Sequence, residues 1–205
     1  MHGMSSVRTG DKSDALLERA RRRGRSFARF DLRGHGESSG NVADMTLTEL
    51  VADTTAVLQR VGPGLLVGSS LGALVAAWTA ACSADLVLGL TMLSPALGFL
   101  PEIARSRQQG QPINLRDSEG DELIFSQRAI EDAVSYDEEA LPAQLWMPTL
   151  IVHGELDDSV PFQLSQRFFE ALPHERKDFW LVTEDGHRLN RPIHEIYDRM
   201  DALMD

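Results

Sequence analysis

The sequence predicts a three-layer α/β domain, a mostly parallel sheet with helices on both faces. Three observations predict it. Short apolar runs alternate with amphipathic helical windows along most of the chain. The 205 residues, 42% of them hydrophobic, suffice for one sizeable core and are few for two. A serine, an aspartate and a histidine each follow the C-terminal end of an expected strand, where open α/β sheets place their chemistry.

The elements follow in order. Asp14–Arg23 carries Ala15, Leu16 and Ala20 at helical spacing, and Gly24 stops it. Ser26–Phe30 reads as a strand running into the glycine-rich loop Asp31–Gly40. Thr46–Val61 is a helix with Leu47, Leu50, Val51, Val57 and Leu58 inward, capped by Thr46 or Thr48 and ended by Gly62-Pro63. Leu65–Val67 is a buried strand, Leu71–Cys82 an apolar helix, and Val87–Leu93 a strand stopped by Ser94-Pro95. Residues 97–145 turn polar, with no convincing sheet strand, and read as a lid-like insertion over the sheet within a single domain spanning 1–205. Regularity returns with strand Thr149–Val152, helix Phe162–Leu172, strand Phe179–Val182 and closing helix Pro192–Met204.

Composition excludes several classes of partner. A net charge of -11 repels phosphate backbones and anionic lipid surfaces, so nucleic acid is not expected. The basic run Arg19, Arg21, Arg22, Arg23, Arg25 is read as a solvated helix face whose cations suit the helix C-terminus. The lone cysteine, Cys82, allows no internal disulfide and fits a reducing, cytoplasmic location; it is expected to be a small core residue. No apolar run reaches about 18 residues, so no membrane span is expected. The first 14 residues lack the apolar region of a secretory signal. The clustered His/Cys spacing of a zinc site is absent, and no cofactor is expected.

The chemistry centres on Gly68-Ser69-Ser70-Leu71-Gly72, between a buried strand and a small-residue helix. Such a turn is so tight that side chains at Gly68 and Gly72 would clash, and it strains Ser70 while lifting its hydroxyl clear of the sheet. The bland alternative is a Gly-Ser turn that merely starts a helix. A serine hydroxyl needs a base, and the base an orienting carboxylate. Asp157 or Asp158 follows one strand and His187 another, in the order Ser, Asp, His. His35 is placed at the pocket entrance, His153 is read as a packing or loop-pinning residue, and His174 and His194 as surface positions.

Together these residues resemble the α/β-hydrolase superfamily over nearly the whole chain. His2-Gly3-Met4 is similar to its oxyanion loop, and Asp31-Leu32-Arg33-Gly34-His35-Gly36-Glu37-Ser38 to its Asp-x-Arg-Gly-x-Gly-x-Ser loop. Gly68–Gly72 resembles its nucleophile elbow, His153–Pro161 its His-Gly-x-x-Asp-x-x-Val-Pro segment, and Gly186-His187 its closing Gly-His. The second of these carry-overs selects Asp157 over Asp158 as the triad acid. The resemblance is narrower to the branch holding the palmitoyl-protein thioesterase and acyl-glucuronide esterase of mitochondria and related bacterial esterases. The sequence departs from that pattern in one respect: two or more strands normally precede the His-Gly loop, so the expectation is either a truncated reading that starts at an internal methionine or a sheet with an exposed edge that something covers.

The activity implied is hydrolysis of an acyl ester or thioester by Ser70, His187 and Asp157 through an acyl-enzyme, with the backbone N–H groups of Leu71 and Met4 on the oxyanion. Phe99, Leu100, Ile103, Leu123, Ile124, Phe125 and Trp146, with His35, are expected to line the substrate pocket, or else to anchor the insertion. The alternatives are a catalytically silent hydrolase-fold binding protein and an acyltransferase.

Overall fold

A computed structural model describes residues 1–109, 115–116 and 122–204. The elements are α1 (Asp11–Arg22), α2 (Leu47–Val61), β1 (Gly64–Ser69), α3 (Leu71–Cys82), β2 (Val87–Leu93), α4 (Phe99–Gln108), β3 (Leu115–Arg116), β4 (Glu122–Leu123), α5 (Gln127–Ala133), β5 (Thr149–Gly154), α6 (Phe162–Ala171), β6 (Lys177–Val182) and α7 (Ile193–Met204). Four strands form a parallel sheet in the order β1-β2-β5-β6. β3 and β4 pair with each other, antiparallel and apart from it.

Strand alternation assigns the two faces. Ile151 of β5 joins Leu66, Leu90, Met92 and the apolar sides of α2, α3 and α6, whereas its neighbours Leu150 and Val152 join Leu93, Ile196, Tyr197 and Met200 under α7. Helix α3 is buried along almost its whole length. Its alanines let α2 and the sheet close on it from both sides. The cap of α2 is the expected one: Thr46 Oγ1 accepts from the N–H of Glu49 and donates to the Glu49 carboxylate, a reciprocal pair that holds the first turn.

Three expectations are corrected. Ser26–Phe30 is not a strand; a strand exists only by pairing, and this segment finds no ladder partner among the described residues. Instead Met1 lies along the outer edge of β1, its ammonium donating to Val67 O at 2.5 Å and its carbonyl accepting from Ser69 N at 3.1 Å. Cys82 is exposed, because it falls on the last turn of α3 where the helix leaves the core. The arginine run is not simply solvated. Arg19 Nε and Arg23 Nη1 reach the buried Asp201 of α7 at 2.5 and 2.6 Å, with Arg25 at 3.5 Å, docking α1 on α7.

Within 97–145, residues 110–114 and 117–121 lie outside the described residues. The remainder is tied down. Ser126 N donates to Ala43 O at 2.8 Å, and Thr48 meets both Asp132 and Tyr136. Glu138 holds the start of α4: its Oε1 accepts from Gly98 N at 2.5 Å, while Oε2 is buried without a partner among the described residues.

Burial pushes the Glu138 carboxyl up to about 7. Because the folded value lies above the unfolded one, the folded chain takes up the proton first, so stability is lost as pH rises from about 4.5 to about 7. Glu138→Gln keeps an acceptor for Gly98 and removes the charge. Denaturant melts across this pH range are expected to match wild type near the acid end and to favour the variant by about 1–3 kcal/mol at pH 8; parallel curves would contradict the account.

Candidate active site

Ser70 sits at the junction of β1 and α3 with φ 54° and ψ −120°. A non-glycine residue there costs roughly 1–3 kcal/mol and persists only when its surroundings hold it. They do. Ser70 N donates to Leu93 O at 2.9 Å, and Ser70 O accepts from Ala73, Leu74 and Ala96 at 3.0–3.2 Å. Gly68 is required, since a Cβ there would lie 2.2 Å from Gly72 O. Gly72 is required for a different reason from the one expected. Its Cβ would strike the carbonyls of His2 and Met1 at 2.4 and 2.7 Å, so this glycine admits the N-terminal segment. Leu71 is the first residue of α3, and its N–H is one of the first-turn donors that no intrahelical carbonyl satisfies.

The loop Asp31–Gly40 clamps that segment. The Asp31 carboxylate accepts from Arg8 N at 2.6 Å, from the Arg8 guanidinium and from Glu37 N at 3.1 Å. Burial pushes this carboxyl up, but the bonds from Arg8 and Glu37 outweigh it and hold it below the usual range. His2 Nε2 accepts from Leu32 N at 2.9 Å, and its Nδ1–H donates to Gly3 O. Burial lowers the His2 pKa, which favours the neutral ring this pattern requires. His35 Nε2 accepts from Ser5 N at 3.1 Å, and the two rings stack edge to face at 5.1 Å. Gly3 and Met4 are thereby held beside Ser70; a Cβ on Gly3 would lie 3.7 Å from Ser70 Oγ.

On the other side of the site, His187 Nδ1 lies 2.7 Å from Asp157 Oδ2. An ionised carboxylate oxygen only accepts, so Nδ1 carries the hydrogen and Nε2 is left with its lone pair free to take a proton. It is Asp157 that reaches the histidine; Asp158 is exposed. The other oxygen, Oδ1, accepts from Ser159 N and Val160 N, both at 2.9 Å. The Asp157 side chain is wholly buried. Burial pushes its carboxyl up, but bonds from His153, His187 and Val160 N and the attraction of His187 hold it far below the usual carboxylate range. The loop carrying His187 rides directly on β5: a Cβ on Gly154 would lie 2.4 Å from Gly186 O and 2.5 Å from Asp185 O.

Ser70 and His187 face one open cavity of about 1130 Å³, which Gly3, Met4, Leu71, Phe99, Ser159 and Val160 also line. The Ser70 hydroxyl makes no hydrogen bond to His187 Nε2; nucleophile–base contacts of this kind commonly tighten on substrate binding.

The expected pocket residues divide. Phe99 lines the cavity and packs edge to face on Phe125 at 6.0 Å. Leu100 and Ile103 are core residues on the inward side of α4. Ile124 and Trp146, placed over the pocket from sequence, are instead 73% and 68% exposed and do not line it. His35 is buried beneath the N-terminal loop and not at an entrance. The side chain of Leu123 lies outside the described residues. His194 is exposed, and His174 is half-buried with neither nitrogen partnered among the described residues. His153, expected as a packing or loop-pinning residue, is buried and does pin the loop after β5, through Val160 O and through Asp157, which it shares with His187. Among the described residues no group of three or more His, Cys, Asp or Glu is placed to hold a metal ion, and no helix is long and apolar enough to cross a membrane.

A strained serine between strand and helix, with a carboxylate-held imidazole facing the same cavity, on a parallel sheet, defines the α/β-hydrolase class. The family model described as "Alpha/beta hydrolase family" matches residues 1–204, and the chain belongs to that family. Among curated relatives, the mitochondrial palmitoyl-protein thioesterase ABHD10 of Mus musculus is 27% identical over 221 residues, covering 99% of this chain and 73% of that protein. The Homo sapiens protein is 26% identical over 223 residues, covering 98% and 72%. Among solved structures, mouse alpha/beta hydrolase domain-containing protein 10 superposes with TM-score 0.84 at 25% identity, covering 100% of this chain and 88% of that one. The ferulic-acid complex of Est1E from Butyrivibrio proteoclasticus superposes with TM-score 0.85 at 24% identity, covering 100% and 86%.

If Gly154 is what lets the His187 loop sit down on β5, Gly154→Ala should lower the thermal midpoint and, on a hydrolase reading of the site, cut ester turnover by about a hundredfold, the typical result of displacing a reacting group by an ångström. Gly64→Ala is the control, since a Cβ there meets nothing within 4 Å. Equal behaviour of the two variants would refute the claim.

Proposed function

We propose that the chain is a serine hydrolase of acyl esters or thioesters that works through an acyl-enzyme. The observation that carries this reading is the forced backbone of Ser70, φ 54°, facing the same cavity as the Asp157-held His187. Strain of this kind clusters at functional sites.

Ser70 Oγ attacks the acyl carbonyl while His187 Nε2 takes its proton. The negative oxygen that results is met by the N–H groups of Leu71 and Met4, the former at the positive end of α3. His187 then protonates the leaving alcohol or thiol. Water, deprotonated by the same nitrogen, releases the acid and restores Ser70. Asp157 keeps the base in the Nδ1–H tautomer and stabilises the imidazolium. The thioester half of the reading draws on the name of the curated relatives, palmitoyl-protein thioesterase. Phe99, backed by Phe125, supplies an apolar wall for an acyl chain.

The second reading, a catalytically silent scaffold, is favoured by one observation: Ser70 and His187 are not hydrogen-bonded to each other. Turnover of short- and long-chain p-nitrophenyl esters and of acyl thioesters separates the two. The hydrolase reading expects hydrolysis by wild type and a loss of about 10⁴-fold or more in Ser70→Ala at an unchanged melting midpoint. A folded wild type that turns over none of them, or a Ser70→Ala variant as fast as wild type, would defeat it.

A further inference from the structure

Asp157 Oδ2 serves two imidazoles. His187 Nδ1 is at 2.7 Å and His153 Nε2 at 2.9 Å. His153 is the penultimate residue of β5 and is completely buried. Its second Nε2 neighbour is Val160 O at 3.0 Å, and its Nδ1 faces Ser165 Oγ of α6 at 2.7 Å. A carboxylate oxygen and a carbonyl oxygen only accept, so Nε2 must carry the hydrogen. Nδ1 is then an acceptor, and the Ser165 hydroxyl is its donor. Ser165, itself wholly buried, thus selects the tautomer of His153 that points a proton at the triad acid.

We infer that His153 is a positioning residue of the catalytic apparatus: it draws off part of the Asp157 charge, and so sets how strongly that carboxylate holds a proton on His187. The inference rests on the hydrolase reading given above. A carboxylate oxygen that accepts two N–H bonds offers each donor less than it would offer one. His153 also helps to fix the rotamer of Asp157 through the same oxygen, Oδ2, that His187 contacts, while Ser159 N and Val160 N hold Oδ1. The sign follows. Without the Nε2 donor, the full charge acts on His187, its protonated form gains, and a higher pH is needed to free the base.

The other charged groups around the His187 loop belong to different contacts. Lys12 of α1 donates to Arg188 O, and Asp185 accepts from Gly186 N and Arg191 N. They remain in place in every variant below. From α6 the group facing His153 is Ser165, and from β6 its register partner is Leu181.

The test is the pH profile of kcat/KM for an ester substrate in wild type and in His153→Leu, His153→Asn and His153→Gln. Glutamine places an amide N–H near the Nε2 position and restores the donor; asparagine reaches only the Nδ1 side, and leucine has no donor. The acid limb is expected to move to higher pH by about half a unit or more in the leucine and asparagine variants and to stay at the wild-type position in the glutamine variant. If leucine at a buried polar site prevents folding, the asparagine–glutamine pair carries the comparison alone. An active wild type whose acid limb is unmoved in the variants without a donor, or moves equally in His153→Gln, overturns the inference and leaves the hydrolase reading standing. A folded wild type without hydrolytic activity overturns both.

Discussion

The turn from β1 into α3 is the constraint on which the remaining site depends. Its two glycines have different tasks. Gly68 lets the helix backbone cross the strand, and Gly72 lets the carbonyls of Met1 and His2 pass. Between them Ser70 is held in an unfavourable conformation by four backbone hydrogen bonds, from three different segments. A hydroxyl on a flexible loop would have to be ordered at each encounter. Here that ordering is built into the fold, and its cost is spread over the burial of α3, an almost wholly internal helix.

Around this turn the protein assembles two polar clamps, each with a buried carboxylate at its centre. Asp31 gathers Arg8 and the Gly36 turn and fixes the N-terminal segment beside Ser70. Asp157 gathers His153, His187 and two backbone N–H groups on the other side of the cavity. Neither carboxylate is left unpaired, which is what makes burial of the charge tolerable. The hydrophobic layers serve these clamps. Leu93 ends β2 in register with Val152 of β5, so that Ser70 N and Ser94 N find carbonyls on these adjacent strands. Membership of the α/β-hydrolase family is consistent with this division between a scaffold and a site carried on strand ends.

Much of this was legible in the sequence, and the failures are instructive. The bounds of α3 and β2 in the structure coincide with those the sequence predicts, because Gly-x-Ser-x-Gly, Ser94-Pro95 and a dense apolar run are local signals. The Thr46 cap was equally local. Ser26–Phe30 has the composition of a strand, but composition does not supply a partner, and pairing decides. Trp146 and Ile124 are hydrophobic, which predicts an inward position, yet both are exposed; which way a loop side chain faces is settled by packing that no periodicity encodes. The docking of Arg19 and Arg23 on Asp201 joins residues 182 and 178 positions apart. The second histidine on Asp157 was hidden for a related reason. His153 lies four residues from the aspartate, a spacing that would place the pair on one helix face, yet here it spans a strand end and a turn.

The central claim is that this architecture exists to make one hydroxyl nucleophilic. The most direct measurement is covalent: treat the folded protein with a fluorophosphonate, digest it, and locate the adduct by mass spectrometry. The account predicts a single phosphonyl group on the peptide carrying Ser69 and Ser70, fragmenting to Ser70, with labelling that falls away in His187→Ala. Labelling at another residue, or at Ser70 with undiminished speed in the absence of the imidazole, would contradict it.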